Sequence, residues 1–170
     1  MPPSQPVPPS PPRPIVLFDL GEVLVHLRFQ RGMATLLHLA GGDPDRAHDL
    51  REIFVDPFVL HWNAGRLSPV EFLETLCQRL GPKPVPIHDA ALAWCDVFEP
   101  YPEMEALAQE VLDAGHETWL LSNTDPLHFA RELTKIGVLH RFKGLHLSYE
   151  VGAAKPDPRY VADPARGSAH

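Results

Sequence analysis

Apolar and polar positions divide this chain into stretches of different period. Residues 15–18, Ile-Val-Leu-Phe, are a short unbroken apolar run of β-formers, the pattern of a parallel-sheet strand covered on both faces. A flap-like "GEVLVHL" follows, and between about 29 and 99 the spacing becomes helical. "RGMATLLHLA" runs into Gly41 and Gly42, and "DPDRAHDLREIF" opens with an Asp cap and a proline at the first helical position. "SPVEFLETLCQRLG" has a Ser cap, Glu71 three residues later and a glycine stop, and "IHDAALAWCDVF" completes a block without a strand signal. Beyond "EPYP" the alternation returns: "PEMEALAQEVLDAG" reads as helix, "ETWLLSN" as strand, "DPLHFARELTKIG" as helix and "GLHLS" as strand. Strands joined through helices of this length imply right-handed crossovers. The expected fold class is therefore α/β, a doubly wound parallel (Rossmann-like) sheet carrying an inserted helical block.

Composition narrows what such a fold acts on. The 170 residues with 44% hydrophobic content suit one globular unit with a sizeable core. The net charge is −7 and Lys and Arg are scattered, which argues against nucleic acid or an anionic membrane surface and for a small-molecule substrate or a protein partner. Cys77 and Cys95 fit neither a CxxC motif nor a disulfide framework, and read as buried free thiols in a reducing, cytoplasmic compartment. No apolar run approaches ~18 residues, so no membrane span is expected. Residues 1–14 hold eight prolines and no apolar core of a signal peptide, which predicts a disordered, polyproline-like tail. The ten histidines show no HExxH or comparable metal spacing.

In open α/β sheets chemistry gathers at the carboxyl ends of the strands. That rule selects Asp19 after the first strand, Ser122 and Asn123 after the next, and Lys155 in the loop "YEVGAAKPDP" after the third. Each has a plain and a chemical reading. Asp19 closes a turn or attacks a substrate; Ser122 caps a helix, as Asp125 before Pro126 can equally well, or donates to an anion; Lys155 is a loop lysine or a counter-charge.

"FDLGEVLV", "LLSNTD" and "VGAAKPDPRYV", in that order and each following an expected strand, resemble the nucleophile loop, second motif and lysine motif of the haloacid dehalogenase (HAD) superfamily. The likeness is greatest to its phosphatase branch with a helical C1-type cap, which includes glucose-1-phosphate phosphatase-like enzymes. It implies a core at 15–28 and 100–160, a helical cap at 29–99, and flexible tails at 1–14 and 161–170. It also implies roles: Asp19 attacks the phosphorus of a small phosphorylated metabolite and forms an aspartyl-phosphate. Ser122 and the backbone N–H after it, at a helix start, hold the phosphate, and Lys155 neutralises both partners. Magnesium is the implied cofactor, bound by the Asp19 carboxylate and the Gly21 carbonyl. In the cap, Trp62, Asn63 and Arg66 are candidates to face the cleft, against core burial for Trp62 and a surface position for Arg66.

Two departures from the family pattern carry weight. Most family phosphatases place a second aspartate, the general acid and base, where Gly21 stands, and losing such a group costs roughly 10²–10⁴ in rate. A good leaving group, such as a sugar 1-phosphate, or another donor is then expected; Glu22 and His26 are the nearby proposals. The family's fourth motif, an acidic pair completing the magnesium site, is also missing, since "ADPARGSAH" is small and polar and Asp157 and Asp163 lie too near Lys155. The expectation is a C-terminally truncated product lacking the last core strands, impaired in metal binding, with an exposed edge on the Asp19 strand. Three functions remain open: phosphate-monoester hydrolysis, haloacid dehalogenation without metal, and a non-catalytic remnant.

Overall fold

A computed structural model describes residues 14–161. The tails expected at 1–14 and 161–170, apart from Pro14 and Val161, lie outside the described residues, as does Asp163. Three parallel strands, β1 (Val16–Phe18), β4 (Thr118–Ser122) and β5 (Gly144–Leu147), lie in the order β1-β4-β5. Phe18 pairs with Leu120, and Ser122 with Leu147. Two further strands, β2 (Val25–Leu27) and β3 (Phe98–Pro100), form an antiparallel ribbon with Leu27 opposite Phe98. Between them run α1 (Phe29–Ala40), α2 (Pro57–Asn63), α3 (Pro69–Leu80) and α4 (Ile87–Trp94). After the ribbon come α5 (Pro102–Asp113), α6 (Pro126–Leu133) and the short α7 (Ser148–Val151) and α8 (Pro158–Val161). No helix among the described residues is long and apolar enough to cross a membrane.

Local chemistry explains the helix boundaries. Ser68 and Glu71 form a reciprocal capping box at α3, the Ser68 hydroxyl accepting the Glu71 N–H and the Glu71 carboxylate accepting the Ser68 N–H. Residues 44–55, expected as an α-helix, form a 3₁₀ helix instead, although Asp43 caps it and Pro44 occupies its first position as the sequence implies. The apolar residues 47, 50 and 53 recur every three positions, which is the 3₁₀ repeat.

Two apolar clusters result. One lies inside the helical block, where Trp62 stacks on Phe72 at 4.7 Å and Phe72 meets Trp94 edge-on at 4.8 Å. The other joins Phe18 and Leu120 of the sheet to Ala108 of α5 and Phe129 of α6. Trp62 is thus core, as one of its two readings held, and Arg66 is exposed.

Two boundaries differ from the sequence reading. The 29–99 block was expected to be free of strands, yet Phe98 and Glu99 belong to β3, because the outgoing and returning segments pair with each other and Arg28 binds Glu99 at 2.7 Å. The β1 run was expected to be covered on both faces, but Ile15 is 57% and Leu17 53% exposed, because β1 is an edge strand and alternate residues face opposite ways.

The block comes close to the sheet region at Gly65. Its φ is +67°, and a Cβ there would lie 2.1 Å from the Tyr149 carbonyl oxygen, so only glycine lets the end of α2 approach α7. Cys77 and Cys95 are free and buried. Burial, together with the nearby Asp125 carboxylate, pushes the Cys95 thiol up to about 11. Native protein at pH 8 is therefore expected to resist iodoacetamide at Cys95, with alkylation appearing only in denaturant; peptide mass mapping checks this.

Candidate active site

The residues singled out from the sequence meet where β1 and β4 end. Asp19 directly follows β1, and its Oδ1 accepts the Leu20 N–H at 2.8 Å. Lys155, although 136 residues away, places Nζ 2.6 Å from Asp19 Oδ2 and 3.0 Å from the Leu121 carbonyl oxygen. Both side chains are partly exposed, so the pair is open to a ligand. Ser122 is the last residue of β4 and is buried, with its hydroxyl unpartnered among the described residues.

Asn123 does something the sequence did not indicate. Its amide clamps the backbone of Lys155 from both sides: Oδ1 accepts the Lys155 N–H at 2.7 Å and Nδ2 donates to the Lys155 carbonyl at 2.9 Å. Its side chain is thus committed to Lys155, which leaves the backbone N–H, the group expected to hold phosphate, for an anion. The expectation that Ser122 stands at a helix start is corrected. Helix α6 begins at Pro126, and Asp125 is its cap, with Oδ1 accepting the Leu127 and His128 N–H groups at 2.9 Å each.

Other supports were invisible at the sequence level because they depend on distant segments. Tyr160 of α8 shares its hydroxyl hydrogen between the Ser122 carbonyl at 3.0 Å and the His146 carbonyl at 2.5 Å, holding the ends of β4 and β5 together. Burial, then the Asp19 charge, pushes its phenol upward, so it stays a donor. Ser148, at the start of α7, donates to the Thr124 carbonyl at 2.9 Å and accepts the Thr124 N–H at 3.0 Å.

Behind Ser122 lies a cavity of about 100 Å³ between the sheet ends and the helical block. Gly21, Ser122 and Thr124 line one side; Val59, Asn63 and Trp94 line the other. A buried network closes its floor. Asp125 Oδ2 receives His128 Nδ1 at 2.6 Å and the Trp94 indole N–H at 3.2 Å, while His128 Nε2 meets the Trp94 carbonyl at 2.7 Å. Both ring nitrogens of His128 thus face oxygen atoms. Burial alone would raise the Asp125 pKa, but His128 beside it and the bonds it accepts outweigh that and hold the carboxyl below its usual range.

The departures near Gly21 can be located as well. A Cβ at Gly21 would lie 3.3 Å from Leu27 Cδ1, so Leu27 fills the space where a side chain at position 21 would project. Glu22 is exposed, and the Leu27 N–H it accepts at 2.8 Å pulls its pKa down, which makes it a carboxylate and a poor acid. His26 stacks on Tyr101 at 4.1 Å. Neither lines the cavity. Asp157 is tied to Arg159, whose hydrogen bonds pull its pKa down to about 2. No cluster of three or more His, Cys, Asp or Glu that could hold a metal occurs among the described residues.

This sheet, with its carboxylate and ammonium joined at the strand ends, defines a class. The family pattern of haloacid dehalogenase-like hydrolases matches residues 14–163, and the chain belongs to that family. Among solved structures it is similar to a HAD family enzyme of Bacteroides thetaiotaomicron, with a TM-score of 0.74, 22% identity, and coverage of 91% of this chain and 79% of that one. A magnesium complex of that enzyme gives a TM-score of 0.72 at 24% identity, covering 87% of this chain and 74% of that one. The L-2-haloacid dehalogenase of Xanthobacter autotrophicus gives 0.57 at 21% identity, covering 91% of this chain and 65% of that one.

Proposed function

We propose that this hydrolase cleaves small phosphate monoesters through an aspartyl-phosphate on Asp19. The observation that carries the reading is the 2.6 Å contact between Lys155 Nζ and Asp19 Oδ2 at the strand ends. An ammonium there holds the carboxylate in place for attack and offsets the charge of an approaching phosphate. Asp19 attacks phosphorus and the ester P–O bond breaks; water then cleaves the acyl phosphate and releases inorganic phosphate. The free Ser122 hydroxyl and the Asn123 backbone N–H donate to the phosphate oxygens. The helical block serves as the cap that covers the site.

Magnesium fits the oxygens on hand. The Gly21 carbonyl accepts no hydrogen bond among the described residues and lies two residues from the Asp19 carboxylate. A hard cation completes its shell with water and substrate oxygens, so these two would hold it. When bound, the ion offsets repulsion between carboxylate and phosphate.

Haloacid dehalogenation is the second reading, favoured by the missing acid at Gly21, since halide leaves unprotonated. The test is phosphate release from p-nitrophenyl phosphate with and without magnesium, alongside mass spectrometry of a beryllofluoride adduct on Asp19. Magnesium-dependent release with the adduct supports the reading; metal-independent halide release from 2-chloropropionate without phosphatase activity overturns it.

Asn123 acts here as a positioning residue. Asn123→Ala is expected to lower kcat about 10–100-fold through a displaced Lys155, with KM less affected. Asn123→Asp keeps the acceptor for the Lys155 N–H and recovers part of the loss. Steady-state kinetics of both variants check this, and circular dichroism confirms the fold.

A further inference from the structure

We infer that the leaving group is a single apolar ring, so that the substrates are aryl phosphate monoesters rather than sugar phosphates. The inference rests on the hydrolase reading above, and two independent observations carry it. The first is the lining of the cavity beside Gly21 and Ser122: Leu20, Leu27, Phe29, Val59, Trp94 and Phe98 give it a continuous apolar component. Its polar groups are already engaged with one another, with Asp125, His128 and the Trp94 indole closing a neutral network. Beyond Ser122, only two of the described lining side chains offer an uncommitted polar group. Thr124 Oγ1 is buried without a partner, and the Asn63 amide has none among the described residues. These suffice for one polar substituent. The several hydroxyls of a hexose would lose water without finding partners. The size sets an upper limit: the cavity is about 100 Å³, below the roughly 150 Å³ of apolar cavities that accept benzene, so nothing bulkier than one ring fits it.

The second observation is that, among the described residues, no neutral carboxylic acid lines the cavity. Gly21 carries no side chain, Glu22 faces the ribbon as a carboxylate, and Asp125, the acidic residue among the lining positions described, is an ionised partner of His128. The leaving oxygen must therefore depart with its electron pair. When Asp19 bonds to phosphorus and the P–O bond breaks, a phenoxide leaves and takes its proton from water, which an alkoxide of a sugar alcohol does far less readily. Both observations select the same chemistry, a leaving group that is at once apolar and a stable anion.

Two measurements on the full chain with magnesium separate this inference from the hydrolase reading. In the first, kcat/KM is expected to be about 100-fold higher for phenyl phosphate than for glucose 1-phosphate or glucose 6-phosphate, and to fall steeply with the pKa of the phenol along a series of substituted phenyl phosphates. Equal turnover of the hexose phosphates, or a rate indifferent to the phenol, overturns the inference and leaves the hydrolase reading standing. The second needs no turnover: phenol is titrated against the Trp94 indole N–H by NMR, with glucose as control. Saturable shifts with phenol alone support the inference; no shift with phenol, or equal shifts with glucose, overturns it even if Asp19 takes the beryllofluoride adduct. Leu27→Trp, which fills the cavity, is expected to abolish the phenol shifts and raise KM for phenyl phosphate about tenfold while the Asp19 adduct still forms. An unchanged phenol response in that variant also overturns the inference.

Discussion

Asp19→Asn is expected to lose phosphate release by at least about 10⁴-fold while the protein stays folded. The amide cannot form the acyl phosphate, and Lys155 loses its 2.6 Å partner but keeps the Leu121 carbonyl at 3.0 Å. Because the pair is partly exposed, its removal moves stability by no more than about 1 kcal/mol. Lys155→Met attacks the same unit from the other side: it leaves the carboxylate in place and takes away the charge that offsets phosphate. If the two act together, the double variant loses no more activity than Asp19→Asn alone. Additive losses in a kinetic double-mutant cycle would show that Lys155 works elsewhere.

The largest effect on stability is expected at Asp125. Asp125→Ala removes the α6 cap and leaves His128 and the Trp94 indole buried without their acceptor. Breaking a buried charge pair from one side costs about 3–5 kcal/mol. For a chain of this length that lowers the melting temperature by roughly 10 °C, measurable by calorimetry. The pH dependence has a definite sign. The folded carboxyl sits below its ordinary value, so its contribution is present above the unfolded pKa of about 3.9 and is lost as pH falls through the folded one. Asp125→Asn is therefore expected to flatten the loss of melting temperature below pH ~4. An unchanged acid limb would mean that other carboxyl groups govern acid unfolding.

The sequence exposed what short-range chemistry dictates. Caps such as Ser68 with Glu71, the glycine stops and the β-former runs lie within a few residues of what they fix; Asp19 and Ser122 stand out as polar residues at the ends of apolar runs, and Lys155 by its place in the loop after the next one. Long-range partnerships left no such trace. The Asn123 amide bridges to Lys155 and Tyr160 reaches Ser122 across the fold, and an ordinary Asn or Tyr in a loop gives no hint of either. The pairing of β2 with β3 was missed for a related reason: each strand is three residues long, too short for a period to register. Leu17 misled because a continuous apolar run looks the same on an edge strand as on a central one.

The pairing of Val16 with Thr118 spans roughly a hundred residues, and that separation orders how the chain comes together. The helices between them make mostly nearby contacts and can condense early, whereas the first strand must wait for its partner to be synthesised. During translation Ile15 and Leu17 are therefore held unpaired while the whole insert emerges from the ribosome. The slow step of maturation is expected to be sheet closure, and it is at that moment that Asp19 and Lys155 first meet.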